Sequence, residues 1–178
     1  AARESFDLTF ISNDYANFVA QEAFYPLTDL LNRGSFNRIY PICCQGKSPF
    51  ALVLVDIDHF KSINDTCGHT AGDEAIKRIA AQLKRAFRSE DYTFRIGGDE
   101  FAVIMVDVSE AHRELLEERL RLLCDTVAGS SAGLPPISIS AGAAFSDRRN
   151  PEGTLFNDAD KALYDVKEHG KASYRIFG

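Results

Sequence analysis

No stretch of this 178-residue chain approaches the ~18 consecutive apolar residues of a membrane helix, and no signal-peptide pattern opens it. Cysteine is sparse: Cys43, Cys44, Cys67 and Cys124 are the four present. Two of them are adjacent, which is poor disulfide geometry, and no CxxC or His/Cys spacing suits a zinc or iron site. They read as free thiols in a reducing cytoplasm. An excess of positive charge is also missing. The net charge is −6, which argues against a broad nucleic-acid-binding surface but leaves room for a single nucleotide whose phosphates meet a local cation. Internal repeats and low-complexity segments are absent.

With 45% hydrophobic and 26% charged residues, the chain can build one globular domain with a sizeable core and an extra segment at one end. It opens at Ala1 without a methionine and is expected to be a piece of something longer, with no membrane contact of its own. Residues 1–24 are aromatic-rich. Ser12 can cap a helix with Tyr15, Phe18, Val19 and Ala23 on one face, so this stretch reads as a linker or lead-in helix. After Pro26, Thr28 or Asp29 can cap a helix through Leu30, Leu31, Phe36 and Ile39 that ends near Pro41.

The continuous apolar run from Ala51 to Val55, closed by Asp56, suits a central strand covered on both faces. A polar loop is expected from Asp58 to Gly72, then an amphipathic helix with Ile76, Ile79, Ala80, Leu83 and Phe87 at helical spacing. Two β-type runs, 92–96 and 101–106, flank Gly97-Gly98-Asp99-Glu100. The glycines predict a tight hairpin through access to positive φ. Leu116, Leu120, Leu123 and Val127 mark another helix, and residues 129–136 a loop. Residues 137–145 make a strand; Phe156, Ala159, Leu163 and Val166 a last helix; residues 173–177 a last strand. The order predicts an α/β (α+β) fold: a ferredoxin-like core whose mainly antiparallel five-stranded sheet is flanked by helices, with an extra hairpin and an N-terminal lead-in helix.

Chemistry gathers at two strand ends. Asp56 and Asp58 stand at the carboxyl end of the first core strand, on one face if the strand runs that far. Asp99 and Glu100 at the hairpin come alongside if the two strands are neighbours. Carboxylates this close repel unless a cation relieves them. Hard oxygen donors without His or Cys point to Mg²⁺ or Mn²⁺, which usually arrive with a phosphate substrate. The plainer reading is a solvated acidic strand end.

The long run at 56–73, DIDHFKSINDTCGHTAGD, together with RIGGDEF at 95–101, resembles the GGDEF family of diguanylate cyclases. Leu27-Thr28, Leu30-Leu31-Asn32-Arg33, Ser140-Ala141-Gly142 and Ala162-Leu-Tyr-Asp-Val-Lys167 extend the resemblance over residues 25–178. It implies that two subunits of a homodimer, each holding one GTP, make cyclic di-GMP and two pyrophosphates. The 3′-oxygen of one GTP would attack the α-phosphorus of the other in line, without a covalent enzyme intermediate. The resemblance assigns Asp56, the Ile57 carbonyl and Asp99 to the metal, with Glu100 completing the acidic cluster and a hairpin carboxylate assisting as base. Asn64 and Asp73 would take the guanine edge, whose N–H donors suit a carboxylate and an amide. His59 and Phe60 would offer backbone N–H groups to phosphate, beside Gly97 and Gly98, and Lys61, Lys167 and Lys171 would neutralise the triphosphate.

Arg88-Ser-Glu-Asp91 fits RxxD, which at this spacing before Gly97 is an inhibitory product site in the family; the bland alternative is a local pair at a helix end. His69 reads as a loop hydrogen-bonder, His112 and His169 as residues on polar helix faces, and Cys67 as small packing. Tyr25 stands where the family usually has an Asp that ties the incoming helix to the domain. Asp29 replaces the usual Gly, and Lys171 replaces the usual Arg and loses its fork. The favoured reading is an active cyclase in the cytoplasm beneath an upstream sensor domain. A catalytically silent GTP-binding regulator or cyclic di-GMP receptor competes with it. An ATP-using cyclase is disfavoured because adenine lacks the donor pair that Asp73 suits.

Overall fold

The computed structural model describes residues 24, 25, 27–128 and 133–178. The expected helix capped by Ser12 lies outside the described residues. The elements run α1 (Arg33–Gln45), β1 (Phe50–Ile57), α2 (Phe60–Cys67), α3 (His69–Ala86), β2 (Tyr92–Arg95), β3 (Glu100–Val106), a 3-10 turn (Glu110–His112), α4 (Arg113–Ala128), β4 (Ile139–Phe145), α5 (Leu155–Glu168) and β5 (Tyr174–Ile176). The sheet order is β2-β3-β1-β4-β5, antiparallel except for the β4–β5 pair. The hairpin β2–β3 supplies two of the five strands, at one side of the sheet.

All eight residues of β1 are buried, as the unbroken apolar run requires of a central strand. Its side chains alternate between two cores. Ala51, Val53, Val55 and Ile57 pack with Ile76, Ile79 and Leu83 of α3 and with Leu116 and Leu120 of α4. Phe50, Leu52 and Leu54 pack on the other face with Phe36 of α1 and Ala159 and Leu163 of α5. Each buried Val, Leu, Ile or Phe among them contributes about 1.5–3 kcal/mol relative to exposure. This alternation also aims the chemistry, because Asp56 continues the even series and so turns toward α5.

Three local expectations need correction. First, neither Thr28 nor Asp29 caps α1. Leu31 is held in extended pairing, donating to the Thr93 carbonyl and accepting from the Arg95 amide, so the helix starts one residue after Asn32, whose side chain caps the Ser35 amide. The same helix runs past Pro41 and ends where the Gly46 amide closes on Ile42 and Cys43. Second, the polar stretch 58–72 is not a loop. It forms α2 and the first turn of α3, joined at Gly68 with φ 87°, and His69 is the first helical residue. Third, neither Gly97 nor Gly98 has a positive φ. Gly97 is needed for space instead: a Cβ there would sit 2.6 Å from Glu100 Oε2.

Candidate active site

The register places the acidic residues together. Asp56 of β1 lies directly opposite Glu100 of β3 on one side and Ser140 of β4 on the other. The Ile57 amide donates to the Asp99 carbonyl at 3.1 Å, drawing the hairpin mouth against the end of β1. From the helix above, Lys167 Nζ donates to Asp56 Oδ2. Three carboxylates therefore share one strand end with one ammonium.

Electrostatics at this end are unbalanced toward negative charge. Burial raises the Asp56 carboxyl, the Lys167 bond and charge oppose that rise, and Asp99 and Asp160 add to it. Burial raises Glu100 as well, followed by the charges of Asp56 and Asp99. For Lys167, desolvation works to lower the pKa but is outweighed by the bond to Asp56 and the charges of Asp56, Asp99 and Glu100, so the ammonium is held above its usual value. Lys167 is the cation that bonds Asp56, and Asp56 and Glu100 are still both raised, so the site favours a further positive charge. Among the described residues, no three His, Cys, Asp or Glu side chains are gathered into a set that would hold a metal ion by themselves.

Asp58 does not join this cluster. Its buried carboxylate accepts from Ser138 Oγ and Ser140 Oγ, both at 2.6 Å, and from the Ala172 amide at 2.9 Å. β1 ends at Ile57, and the Asp58 amide turns to the Ser138 carbonyl, so the acidic group is taken up by β4 and the turn after α5.

The neighbouring helix pair supplies a polar edge. Asn64 on α2 lies against Gly72 of α3 so closely that a Cβ on Gly72 would fall 1.9 Å from Asn64 Oδ1. Asp73, exposed, follows directly. The glycine leaves the room that the Asn64 side chain occupies against α3. Gly72→Ala is accordingly expected to displace the Asn64 side chain and to cost about 1–3 kcal/mol of stability, measured by urea denaturation.

His59 takes a left-handed conformation (φ 55°) as it leads into α2, whose first-turn amides lack intrahelical acceptors. Phe60 is half-buried behind it and Lys61 is exposed on the same turn. Lys171 lies in the turn after α5 with φ 63°. Neither Lys61 nor Lys171 makes an ion pair among the described residues.

Several contributing residues carried no assigned role in the sequence reading. Arg33 donates to the Ile96 carbonyl at 3.0 Å and is one of the two cations lowering Glu100. Buried Arg95 donates to the Gly97 and Gly98 carbonyls, three bonds of 2.8–3.2 Å that pin the acidic turn from beneath. The Tyr25 ring stacks on the Arg95 guanidinium at 4.3 Å, so the incoming chain is tied to the turn by a cation–π contact where the family pattern has a carboxylate. Arginine just before two turn glycines was a readable signal; the Tyr25 contact was not, because nothing local in sequence pairs residues 25 and 95.

Arg88 and Asp91 do meet. The Asp91 carboxylate accepts from the Arg88 amide, the Val106 amide and Arg88 Nη2, and its side chain is fully buried. Arg88 also donates to the Val106 carbonyl at 2.8 Å and reaches Glu90 at 3.7 Å. Arg119 of α4 bonds the Ala86 carbonyl at the end of α3, bringing a second guanidinium to the same helix end. The Nε atoms of Arg88 and Arg119 are buried without an acceptor among the described residues.

A sheet of this order with its acidic hairpin beside Asp56 defines a GGDEF domain. The family model described as "Diguanylate cyclase, GGDEF domain" matches residues 23–173, and the chain belongs to that family. It is similar to the probable diguanylate cyclase DgcT of Escherichia coli (strain K12), 34% identical over 153 residues, covering 82% of this chain and 34% of DgcT. Diguanylate cyclase DgcP of Pseudomonas aeruginosa is 42% identical over 122 residues, covering 67% of this chain and 18% of DgcP. The solved coiled coil and GGDEF domain of DgcB from Caulobacter crescentus, in complex with c-di-GMP, has a TM-score of 0.76 at 26% identity, covering 97% of this chain and 93% of that one. The chain spans about a third of the length of DgcT and of the diguanylate cyclase DosC of E. coli. Among the described residues, no helix is long and apolar enough to cross a membrane.

Proposed function

We propose that this domain condenses two GTP molecules into cyclic di-GMP and two pyrophosphates, each subunit of a homodimer presenting one GTP to the other. The observation that carries this reading is the Asp56–Lys167 pair at the end of β1, with Glu100 directly opposite Asp56 and the Asp99 backbone held by the Ile57 amide. Hard oxygen donors with too little positive charge beside them suit Mg²⁺ or Mn²⁺, which would draw in Asp56, the Ile57 carbonyl, Asp99 and Glu100 as its ligands. When bound, the ion would supply charge neutralisation at the α-phosphate and a lower pKa for the attacking hydroxyl.

The chain's own residues bind and orient. Asn64 and Asp73 accept and donate along the guanine edge. The amides of His59 and Phe60 and the tight backbone at Gly97 and Gly98 take phosphate oxygens. Lys61, Lys167 and Lys171 balance the triphosphate, with Lys167 exchanging its Asp56 contact for phosphate. Placing a 3′-oxygen against the facing α-phosphorus then supplies much of the rate, and one hairpin carboxylate, Asp99 or Glu100, takes the proton. A domain that consumes GTP and keeps four free thiols among the described residues belongs in the cytoplasm, under an upstream sensor in the parent chain. Purified protein incubated at high concentration with GTP and Mg²⁺ is expected to yield cyclic di-GMP by mass spectrometry. GTP binding without any turnover would replace this reading with a silent GTP-binding regulator.

Product inhibition is assigned to Arg88 and Asp91. Asp91 is already saturated by Val106 and Arg88 and holds the arginine in place, so recognition of the product falls to the guanidinium, aided by Arg119. Arg88→Ala is expected to weaken cyclic di-GMP inhibition by at least tenfold with initial rates changed less than threefold; unchanged inhibition would refute the assignment.

A further inference from the structure

Asp58 is a buried carboxylate, 6% exposed, that pairs with no cation among the described residues. Such a group is costly unless its oxygens are met by strong donors. Here three donors meet it: Ser140 Oγ on Oδ1, and Ser138 Oγ and the Ala172 amide on Oδ2. The two serines belong to the approach and the strand of β4. The third donor comes from elsewhere, the turn between α5 and β5.

That turn is unusual in its backbone. Gly170, Lys171 and Ala172 have φ of 110°, 63° and 50°, so two consecutive residues with side chains lie in the left-handed region. Each such residue costs about 1–2 kcal/mol unless its surroundings hold it there. Its two ends are fixed: the Lys171 amide donates to the Val166 carbonyl of α5 at 3.0 Å, and the Ala172 amide donates to Asp58. The result is a division of labour at the end of β1. Asp56 receives the side chain of Lys167, while Asp58, two residues on, receives the backbone that follows Lys171.

We infer that Asp58 is a positioning residue that fixes the left-handed turn carrying Lys171, so that this lysine stands ready for the triphosphate of a bound nucleotide. A simple packing residue would not need three hydrogen-bond donors from two separate segments. The two carboxylate oxygens of Asp58 can accept from three converging donors at once, one of them from a strained turn. Because it acts through Lys171, its loss affects recognition of the polyphosphate and leaves the base edge at Asn64 and Asp73 untouched. This inference rests on the GTP-binding reading above.

The test compares GTP and GMP binding by calorimetry with Mg²⁺ for the wild-type domain, Asp58→Asn, Lys171→Ala and the double variant, with amide exchange at Lys171–Ser173 followed in parallel. Asp58→Asn is expected to weaken GTP about tenfold, to leave GMP within twofold, and to speed exchange at Ala172. The double variant is expected to match Lys171→Ala alone. Equal losses for GTP and GMP, or losses that multiply in the double variant, would overturn the assignment. If Asp58→Asn does not fold, Ser140→Ala, which removes one donor to the same carboxylate, is expected to show the same GTP-selective loss on a smaller scale; a non-selective loss there would overturn it equally. Wild-type protein that binds no GTP would refute the functional reading instead, while exchange at Ala172 would still decide the tether.

Discussion

Asp56→Asn is expected to reduce cyclic di-GMP formation by about 1,000-fold, the scale of several kcal/mol of lost charge stabilisation at the transferring phosphate. The same variant is expected to keep its fold, because Asp56 is charged in the folded protein only against the cost of burial and of its carboxylate neighbours. The pH dependence follows in sign. A carboxyl raised in the folded state gives stability that is fully present below its unfolded value, about 4, and is lost as pH rises through the raised folded value. Metal-free wild-type protein should therefore lose part of its melting temperature as pH rises from about 4 toward neutrality, and Asp56→Asn should lose less. Lys167 does not contribute to that window, since its raised value places its own loss in the alkaline range. Mg²⁺ at neutral pH should raise the wild-type melting temperature and leave that of Asp56→Asn unchanged. Thermal melts across pH, with and without the ion, check all of this, and a variant that retains turnover would remove Asp56 from the site.

Gly142→Ala carries the second large effect, and it acts on the fold first. A Cβ at Gly142 would lie 2.2 Å from the Leu163 amide nitrogen and 2.4 Å from the Ala159 carbonyl. Both are backbone atoms of α5, so no side-chain rotation relieves the clash and the helix must lift from β4. Overpacking of this kind costs typically 1–3 kcal/mol and more when backbone must move. Because α5 also carries Lys167, the displacement should separate Lys167 from Asp56 and depress turnover per folded molecule by about tenfold or more. Gly98→Ala is the control: nothing lies within 4 Å of its Cβ and its φ is not positive, so its stability should stay within about 0.5 kcal/mol of wild type. Urea denaturation separates the two. Equal midpoints would mean that the contact between α5 and β4 is looser than its geometry indicates.

Much of this architecture was readable from period and punctuation. The unbroken apolar run of β1, the 3.6-residue stripe of α3 and the paired runs around Gly97-Gly98 each reflect one dominant force, burial on a defined face. That the hairpin carboxylates come beside Asp56 if β1 and β3 are neighbours was readable too, and the register sets Glu100 opposite Asp56. What escaped the sequence depends on contacts between distant residues. The start of α1 moved because Leu31 pairs with Thr93 and Arg95 across the chain. Polar residues 58–72 looked like a loop because α2 is short and buries little, its only buried residue being Ile63. Asp58 looked like a ligand because its captors, Ser138, Ser140 and Ala172, lie at least 80 residues away. The turn glycines suggested left-handed backbone, whereas Gly97 is there to make room for Glu100.

On the proposed function, the acidic turn is half of a composite site completed by a second subunit. The most direct measurement is the rate of cyclic di-GMP formation against protein concentration at saturating GTP and Mg²⁺. Below the dimerisation range, specific activity should rise in proportion to concentration and then level off as the dimer forms. Specific activity that stays constant across that range would show that one subunit suffices and that the site is not shared.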